Sequence, residues 1–236
     1  MNLPPISPLE LAGLAVYLAC WLGYAPLLRR LPHAGGVINA NLNVVRTGWM
    51  TRMALRKDRF IDSALLGHAI NSASFFASSN LILIAALTGA LVGGERTWST
   101  VHNLPLVERT APLLFEAKLA LIVVSMARSL LDFIWSIRQL NYCLAAIGAL
   151  PLAASEETLR AYAAATASIL NPALGSFSAG VRGYYFALAA AGWLLGPIPL
   201  IITSLGATFL LAWRQLASPS AHGLRQLRLL IDSETM

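Results

Sequence analysis

Charged residues are scarce in this chain. Only 12% of its 236 residues are Asp, Glu, Lys or Arg, against about a quarter in an ordinary soluble domain. Cysteine occurs twice, as Cys20 and Cys143, and each thiol lies in a separate apolar run, which favours core positions over a disulfide or a metal site. Hydrophobic residues make up 57% of the chain, too many for a single soluble core.

Catalytic signatures are also missing from the sequence. It contains no Gly-x-Ser-x-Gly elbow, no phosphate-binding Walker loop, no His-Glu-x-x-His and no paired carboxylates on one face of an apolar run. The segments between the apolar runs are too short to form a separate catalytic domain. We therefore expect neither an enzyme nor a bound cofactor or metal.

Four apolar runs reach the length of about 18 residues that a membrane-spanning helix needs. They are continuous and rich in Ala and Leu, which favours helices over strands, and helices satisfy their own backbone groups in lipid. The sequence therefore predicts an all-α polytopic membrane protein with a single transmembrane domain over residues 1–236. The predicted spans cover about residues 9–28, 64–92, 113–150 and 184–213.

Two more segments are predicted to be helical without crossing the membrane. Residues 41–62 place apolar side chains at helical spacing with flanking arginines, a pattern typical of an interfacial helix. Residues 161–181 are uncharged but rich in Ser, Thr, Gly and Asn, and they run directly into the fourth span. We expect an amphipathic or re-entrant helical hairpin within residues 155–182, with a fifth span as the alternative.

Basic residues suggest the orientation and the surroundings. The first loop carries more of them than any other segment, which predicts a cytoplasmic loop and a periplasmic N-terminus. With four spans the C-terminus is then also periplasmic, which leaves Arg214, Arg225 and Arg228 on the unfavoured side. Basic residues at the membrane edges account for the net charge of +6, so this charge does not indicate binding to nucleic acid. They serve either as ordinary membrane anchors or as contacts to anionic lipid headgroups, the candidates being Arg46, Arg52, Arg56 and Arg59.

The third span contains charges that need an explanation. Arg128 and Asp132 are four residues apart and share a helix face, together with Trp135, Gln139 and Tyr142. Because an isolated charge in mid-bilayer costs roughly 2.5–3.5 kcal/mol, we expect these two side chains to pair and to face protein or water. Arg138 and Asn141 lie on another face, near the predicted cytoplasmic boundary.

The second and fourth spans carry their own irregular features. A polar stripe on the second span either packs against another helix or lines a polar pathway facing Arg128 and Asp132. Two prolines, Pro197 and Pro199, interrupt the fourth span and predict a kink there. The stripe consists of His68, Asn71, Ser72, Phe75, Ser78 and Ser79.

Four longer stretches of the chain form recognisable motifs: DRFIDSALLG (58–67), SFFASSNLIL (74–83), FIWSIRQLNYC (133–143) and VRGYYFALAAAGW (181–193). Together they resemble the DUF599 family of membrane proteins. The resemblance covers most of the chain and implies a four-span protein of the bacterial inner membrane, without an established activity. The Asn-Arg-Gly that often precedes the last motif is replaced here by Ser178, Ala179 and Gly180, whereas Arg182 and the two tyrosines after Gly183 match.

Two hypotheses about function follow. In the first, the protein is a homo-oligomeric channel or transporter for a small anion, which Arg128, Arg138 and Arg182 help to bind. In the second, it is a structural or partner-binding membrane protein whose intramembrane charges only pack helices together. The polar features of the second and third spans and the interrupted fourth span favour the first.

Overall fold

The computed structural model describes residues 7–30, 37–105 and 107–234. These residues form helices and no strand, which confirms the all-α prediction. In chain order the α-helices of the described part are α1 (Pro8–Arg30), α2 (Ile38–Leu55), α3 (Phe60–Val92), α4 (Gly94–His102), α5 (Pro112–Gly148), α6 (Glu156–Ala191), α7 (Pro197–Leu216) and α8 (Pro219–Glu234), with a short 3-10 helix at Gly192–Leu195 between α6 and α7.

Proline and serine mark where several helices begin. Helices α1, α5, α7 and α8 each have proline as their first residue, where its missing N–H is not needed by the helix. Ser7 caps α1 by accepting from the backbone N–H of Glu10 (3.2 Å). Ser155 accepts from the backbone N–H of Thr158 at the start of α6 (3.2 Å), as a serine N-cap does.

In the described part of the chain, four helical segments are long and apolar enough to cross a membrane: Pro8–Leu28, Phe60–Val92, Pro112–Gly148 and Pro197–Ser233. The first three agree with the predicted spans to within a few residues. Long, uninterrupted apolar runs thus predict these helices well.

The predicted re-entrant hairpin is wrong, and the predicted fourth span has the wrong bounds. Residues 161–181 lie inside α6, a single helix of 36 residues. Their polar side chains do not break the helix because several bond back to its own backbone, as Thr166 does to the carbonyl of Tyr162 (2.8 Å) and Ser178 to that of Leu174 (2.9 Å). Residues 184–213 are therefore the end of α6, the 3-10 helix and most of α7.

The two prolines form the start of a helix and not a kink within one. Gly196 adopts φ +128, a value that favours glycine, and α7 begins at the next residue. Pro197 and Pro199 both lie in the first turn of α7, where backbone donors have no partner within the helix. Thr203 donates back to the carbonyl of Ala189 in α6 (2.9 Å), so α6 and α7 form a helical hairpin.

The predicted basic helix over residues 41–62 is shorter than expected. Helix α2 ends at Leu55, and α3 begins at Phe60. Asp58 accepts from the backbone N–H of Phe60 (2.9 Å), so its carboxylate starts α3 and does not continue α2.

The chain forms two compact units, each built from three separate stretches of sequence. The first unit takes residues from 1–31, 79–130 and 181–212. Its core is aromatic and aliphatic, with Tyr17, Phe115, Phe186, Trp193 and Leu200 among its buried side chains. The hydroxyl groups of Tyr17 and Ser125 share a hydrogen bond of 2.7 Å.

The second unit takes residues from 32–78, 131–180 and 213–236. Its core contains Met50, Leu66, Leu140 and Leu170. Helix α8 packs against α2, and Ile231 lies against the backbone at Gly48. The C-terminal helix therefore lies beside the first loop, whereas the four-span scheme predicts the two on opposite sides of the membrane.

Candidate functional site

Lys118 is a buried charge of the first unit, with 1% of its side chain exposed. Its ammonium Nζ lies 2.7 Å from Glu108 Oε2 and 3.2 Å from Glu10 Oε1. The Glu10 side chain is 5% exposed and that of Glu108 35%. One lysine thus bridges two carboxylates, one buried and one open to solvent.

Neighbouring groups hold the two carboxylates in place. Glu10 lies in the first turn of α1, where the helix dipole favours an anion, and its Oε2 accepts from the indole Nε1–H of Trp193. The ring of Trp193 also lies 5.8 Å from the ammonium of Lys118, within reach of a cation–π contact. The backbone N–H of Glu108 donates to the carbonyl of Leu194 (3.1 Å). We name Glu10, Glu108, Lys118 and Trp193 the Lys118 cluster.

The Lys118 cluster joins four parts of the first unit: α1, the segment before α5, α5 itself and the 3-10 helix. Buried charges need partners of opposite sign, and here each buried charge has one. With one ammonium and two carboxylates, the fully ionised cluster has an excess negative charge and does not suit an anion.

The sequence patterns described above do not predict this cluster. Lys118 lies in the third apolar run and Glu10 at the start of the first. Opposite charges in two different apolar runs are the available signal, because neither charge is tolerated alone in such a run. A search along each helix separately does not detect that pairing.

Arg128 and Asp132 occupy the middle of α5. Arg128 is exposed and Asp132 is half-buried. The first unit includes Arg128, and the second includes Asp132. The predicted pairing of the two side chains stays a prediction.

The polar stripe of α3 lies on the surface and not on the packed face. Helix α3 buries Asp62, Leu66, Ala73 and Asn80, which recur at intervals of four or seven residues on one side. The stripe lies on the other side, with His68 and Asn71 both exposed. The expectation that the stripe packs against another helix is therefore wrong within a single copy of the chain.

The second half of α5 differs in one respect from the predicted arrangement of faces. Arg138 Nη2 donates to the hydroxyl of Tyr142 (3.2 Å) on the exposed surface. The sequence-based prediction places Tyr142 on the same helix face as Asp132. The hydrogen bond instead shows Tyr142 on the face of Arg138, because residues four apart share a face. Asn141 is exposed and donates to the carbonyl of Ile137 (2.9 Å). Arg182, in α6, is half-buried.

Arg59 and Arg56, both predicted to contact lipid phosphate, make hydrogen bonds within the second unit. Arg59 donates to the carbonyls of Leu150 (2.9 Å), Pro151 (3.1 Å) and Ala54 (3.3 Å). It thereby fastens the segment between α5 and α6 to the end of α2.

Arg56 forms an ion pair with the buried carboxylate of Asp62. Its Nη1 donates to Asp62 Oδ1 (2.9 Å), and Trp49 Nε1 donates to the same oxygen (2.6 Å). Asp62 is fully buried, so these two donors stabilise its charge. Arg52 is exposed and Arg46 is half-buried.

Close contacts explain several residues of the four quoted stretches. A side chain at Gly180 would meet the ring of Phe133 at 2.7 Å, and one at Gly183 would meet Ser129 at 2.6 Å. Only glycine therefore permits these approaches between α5 and α6. Phe133 also stacks on Phe76, with ring centroids 5.6 Å apart.

No curated protein and no solved structure matches the chain. A family model described as "Protein of unknown function, DUF599" matches residues 12–220. The match extends over nearly all of the chain, in agreement with the resemblance of the four stretches. The chain therefore belongs to the DUF599 family, whose function is unknown.

Proposed function

We propose that this protein is a homo-oligomeric channel or transporter for a small anion in the bacterial inner membrane. The observation that carries the proposal is the exposed side chain of Arg128 near the midpoint of α5. Helix α5 is one of the segments long and apolar enough to span the bilayer.

The depth of Arg128 makes contact with lipid unfavourable. It lies two residues before residue 130, the midpoint of α5, or roughly 3 Å along the helix axis, so a bilayer centred on α5 places it near mid-bilayer. An arginine in mid-bilayer costs roughly 2.5–3.5 kcal/mol when it faces lipid. A second copy of the chain, or water between copies, removes that cost.

The other exposed polar residues of the same helices support a polar surface between copies. Arg138 is exposed on α5, and His68 and Asn71 are exposed on α3. Two acids of these spans, Glu10 and Asp62, are buried and bound to cations. The exposed charged residues of α5, Arg128 and Arg138, are both positive, and its acids Glu116 and Asp132 are half-buried. Exposed positive charge suits an anion.

The contact of α8 with α2 supports a five-crossing topology. Helix α6 has 36 residues, a length of roughly 54 Å, and suffices to cross a bilayer. If α3, α5, α6 and α7 all cross, the chain returns to the side of α2, as the packing of α8 on α2 requires. Arg214, Arg225 and Arg228 then join the basic first loop in the cytoplasm, and α1 leaves the N-terminus in the periplasm.

Anion flux from proteoliposomes tests the proposal. Purified protein should release a chloride load, and Arg128→Gln should reduce the rate at least tenfold. Arg160→Gln is the matched control, because Arg160 is an exposed arginine that pairs with Glu156 at the start of α6. Equal flux for empty and protein-containing vesicles contradicts the proposal.

The Lys118 cluster favours a second candidate function, a structural or partner-binding membrane protein. The cluster fastens four segments of the first unit and has the wrong sign for an anion. If this candidate holds, Arg128→Gln leaves vesicles as impermeable as wild type but weakens assembly of the oligomer in native gels.

A further inference from the structure

Helices α3 and α5 run antiparallel in the second unit. Phe76 of α3 stacks on Phe133 of α5, with ring centroids 5.6 Å apart, and Leu66 lies in the same buried core as Leu140. Residue numbers rise along α3 from 66 to 76 and fall along α5 from 140 to 133, which sets the two directions. The helix faces that carry these four residues are therefore used within a single copy of the chain.

Each helix presents a row of exposed side chains on the face opposite this core. The spacing within each row alternates between three and four residues, as along the seam where two helices pack. Phe75, Leu131 and Trp135 are 68%, 62% and 51% exposed. The α3 row consists of His68, Asn71 and Phe75, and the α5 row consists of Leu131, Trp135 and Arg138, all of them exposed.

The two rows lie at matching levels of the second unit. Counted along both helices from the stacked rings of Phe76 and Phe133, each member of the α3 row has a counterpart in the α5 row within roughly 4.5 Å, less than one helical turn. Copies related by a rotation about the membrane normal keep these levels, so the α5 row of one copy can meet the α3 row of the next. The counterparts are His68 and Arg138, Asn71 and Trp135, and Phe75 and Leu131.

The α5 row offers hydrogen-bond donors, and the α3 row offers acceptors. The guanidinium of Arg138 and the indole of Trp135 donate but do not accept, whereas a neutral imidazole and a carboxamide each have an acceptor. Arg138 gives one N–H to the hydroxyl of Tyr142. The side chains of Trp135, His68 and Asn71 form no hydrogen bond among the described residues. Two α5 rows placed together would set Arg138 against its own copy, and such a contact between like charges is unfavourable.

We propose that the α5 row of one copy packs against the α3 row of the next copy. Arg138 then donates to His68, Trp135 donates to Asn71, and the apolar side chains of Leu131 and Phe75 pack together. Such a head-to-tail contact repeats from copy to copy until a ring closes. The proposal rests on the homo-oligomer of the proposed function and names the surfaces through which its copies meet, but it does not require that the protein conducts ions.

Cross-linking between two differently tagged chains tests this contact. Both chains lack Cys20 and Cys143; one carries Phe75→Cys and the other Leu131→Cys, and they are produced together. Oxidation with copper phenanthroline in membranes should give a dimer that carries both tags. The matched control replaces Leu131→Cys by Ile202→Cys, an apolar position of α7 with 64% exposure, and should give only background.

Two outcomes of the cross-linking overturn the proposal. A mixed dimer no more abundant than in the control means that lipid or another protein covers the rows. A dimer formed as readily by either cysteine variant alone means that a row meets its own copy. Chloride flux without the mixed dimer rejects the contact and leaves conduction standing, whereas the mixed dimer without flux does the reverse.

An exchange of charge tests the pairing of His68 with Arg138. In the same tagged chains, His68→Lys places a second cation against Arg138 and should reduce the mixed dimer at least about tenfold. Adding Arg138→Glu creates an opposite-charge pair and should restore it. Both positions are exposed in a single copy, and circular dichroism checks that the variants fold. An unchanged yield with His68→Lys, or a loss that Arg138→Glu does not restore, contradicts the pairing.

Discussion

Replacing Lys118 by methionine keeps most of the volume of the side chain but removes its ammonium. Glu10, 5% exposed, then loses a cation at 3.2 Å, and the indole N–H of Trp193 is the side-chain donor that remains to it among the described residues. Removing one partner of a buried ion pair typically costs about 3–5 kcal/mol. Glu108 is 35% exposed and regains water, so its share is small. We therefore expect Lys118→Met to lower the free energy of unfolding by about 3 kcal/mol, the lower end of that range.

Titration with dodecyl sulfate in mixed micelles, followed by circular dichroism, measures this loss. The double variant Lys118→Met/Glu10→Gln should recover at least about 1 kcal/mol, because the amide leaves no buried charge and still accepts from Trp193. Arg160→Met is the control: its ion pair with Glu156 is more than half exposed, and its loss should cost about 0.3–0.5 kcal/mol. A loss for Lys118→Met no larger than that of the control, or a double variant less stable than the single one, refutes the reasoning.

Three further predictions concern packing and hydrogen bonds. Asp62→Ala removes the acceptor shared by an indole and a guanidinium and should lower the free energy of unfolding by about 1–3 kcal/mol; an unchanged dodecyl sulfate midpoint argues against it. Arg59→Ala loses bonds to three carbonyls, so elastase or proteinase K, which cleave after small and aliphatic residues, should cut residues 149–155 faster than in wild type, and equal cutting contradicts this role. Gly183→Ala forces a carbon to within 2.6 Å of Ser129 and should cost about 1–3 kcal/mol, whereas Gly67→Ala, in open space on α3, should stabilise by up to about 1 kcal/mol.

Run length and composition predict the helices whose apolar surface is continuous. Helices α1, α3 and α5 are of this kind, and their predicted bounds are close to the observed ones. Helix α6 is not predicted in this way, because its serine and threonine residues are typical of turns. In the structure these side chains bond to the backbone of the helix itself. Proline is ambiguous in the same way, because it disrupts the interior of a helix but is favoured in the first turn. Pro197 lies in a first turn.

The partners of the charged residues are harder to predict than the helices. Arg59 binds backbone carbonyls. Every residue carries a carbonyl, so the sequence does not indicate which ones Arg59 binds. Lys118 binds acids on two other segments, so its role depends on tertiary packing. The polar stripe of α3 is recognisable from its spacing, but only the structure shows that it faces outward, with His68 and Asn71 exposed.

Water access to position 128 tests the central proposal most directly. In a background without Cys20 and Cys143, Arg128→Cys would be treated in intact membranes with a charged, membrane-impermeant thiol reagent. Ile202→Cys is the control, because Ile202 is an apolar residue of α7 with 64% exposure. A polar pathway between copies predicts rapid labelling at position 128 and none at 202. Position 128 remaining as unreactive as position 202 would contradict the pathway.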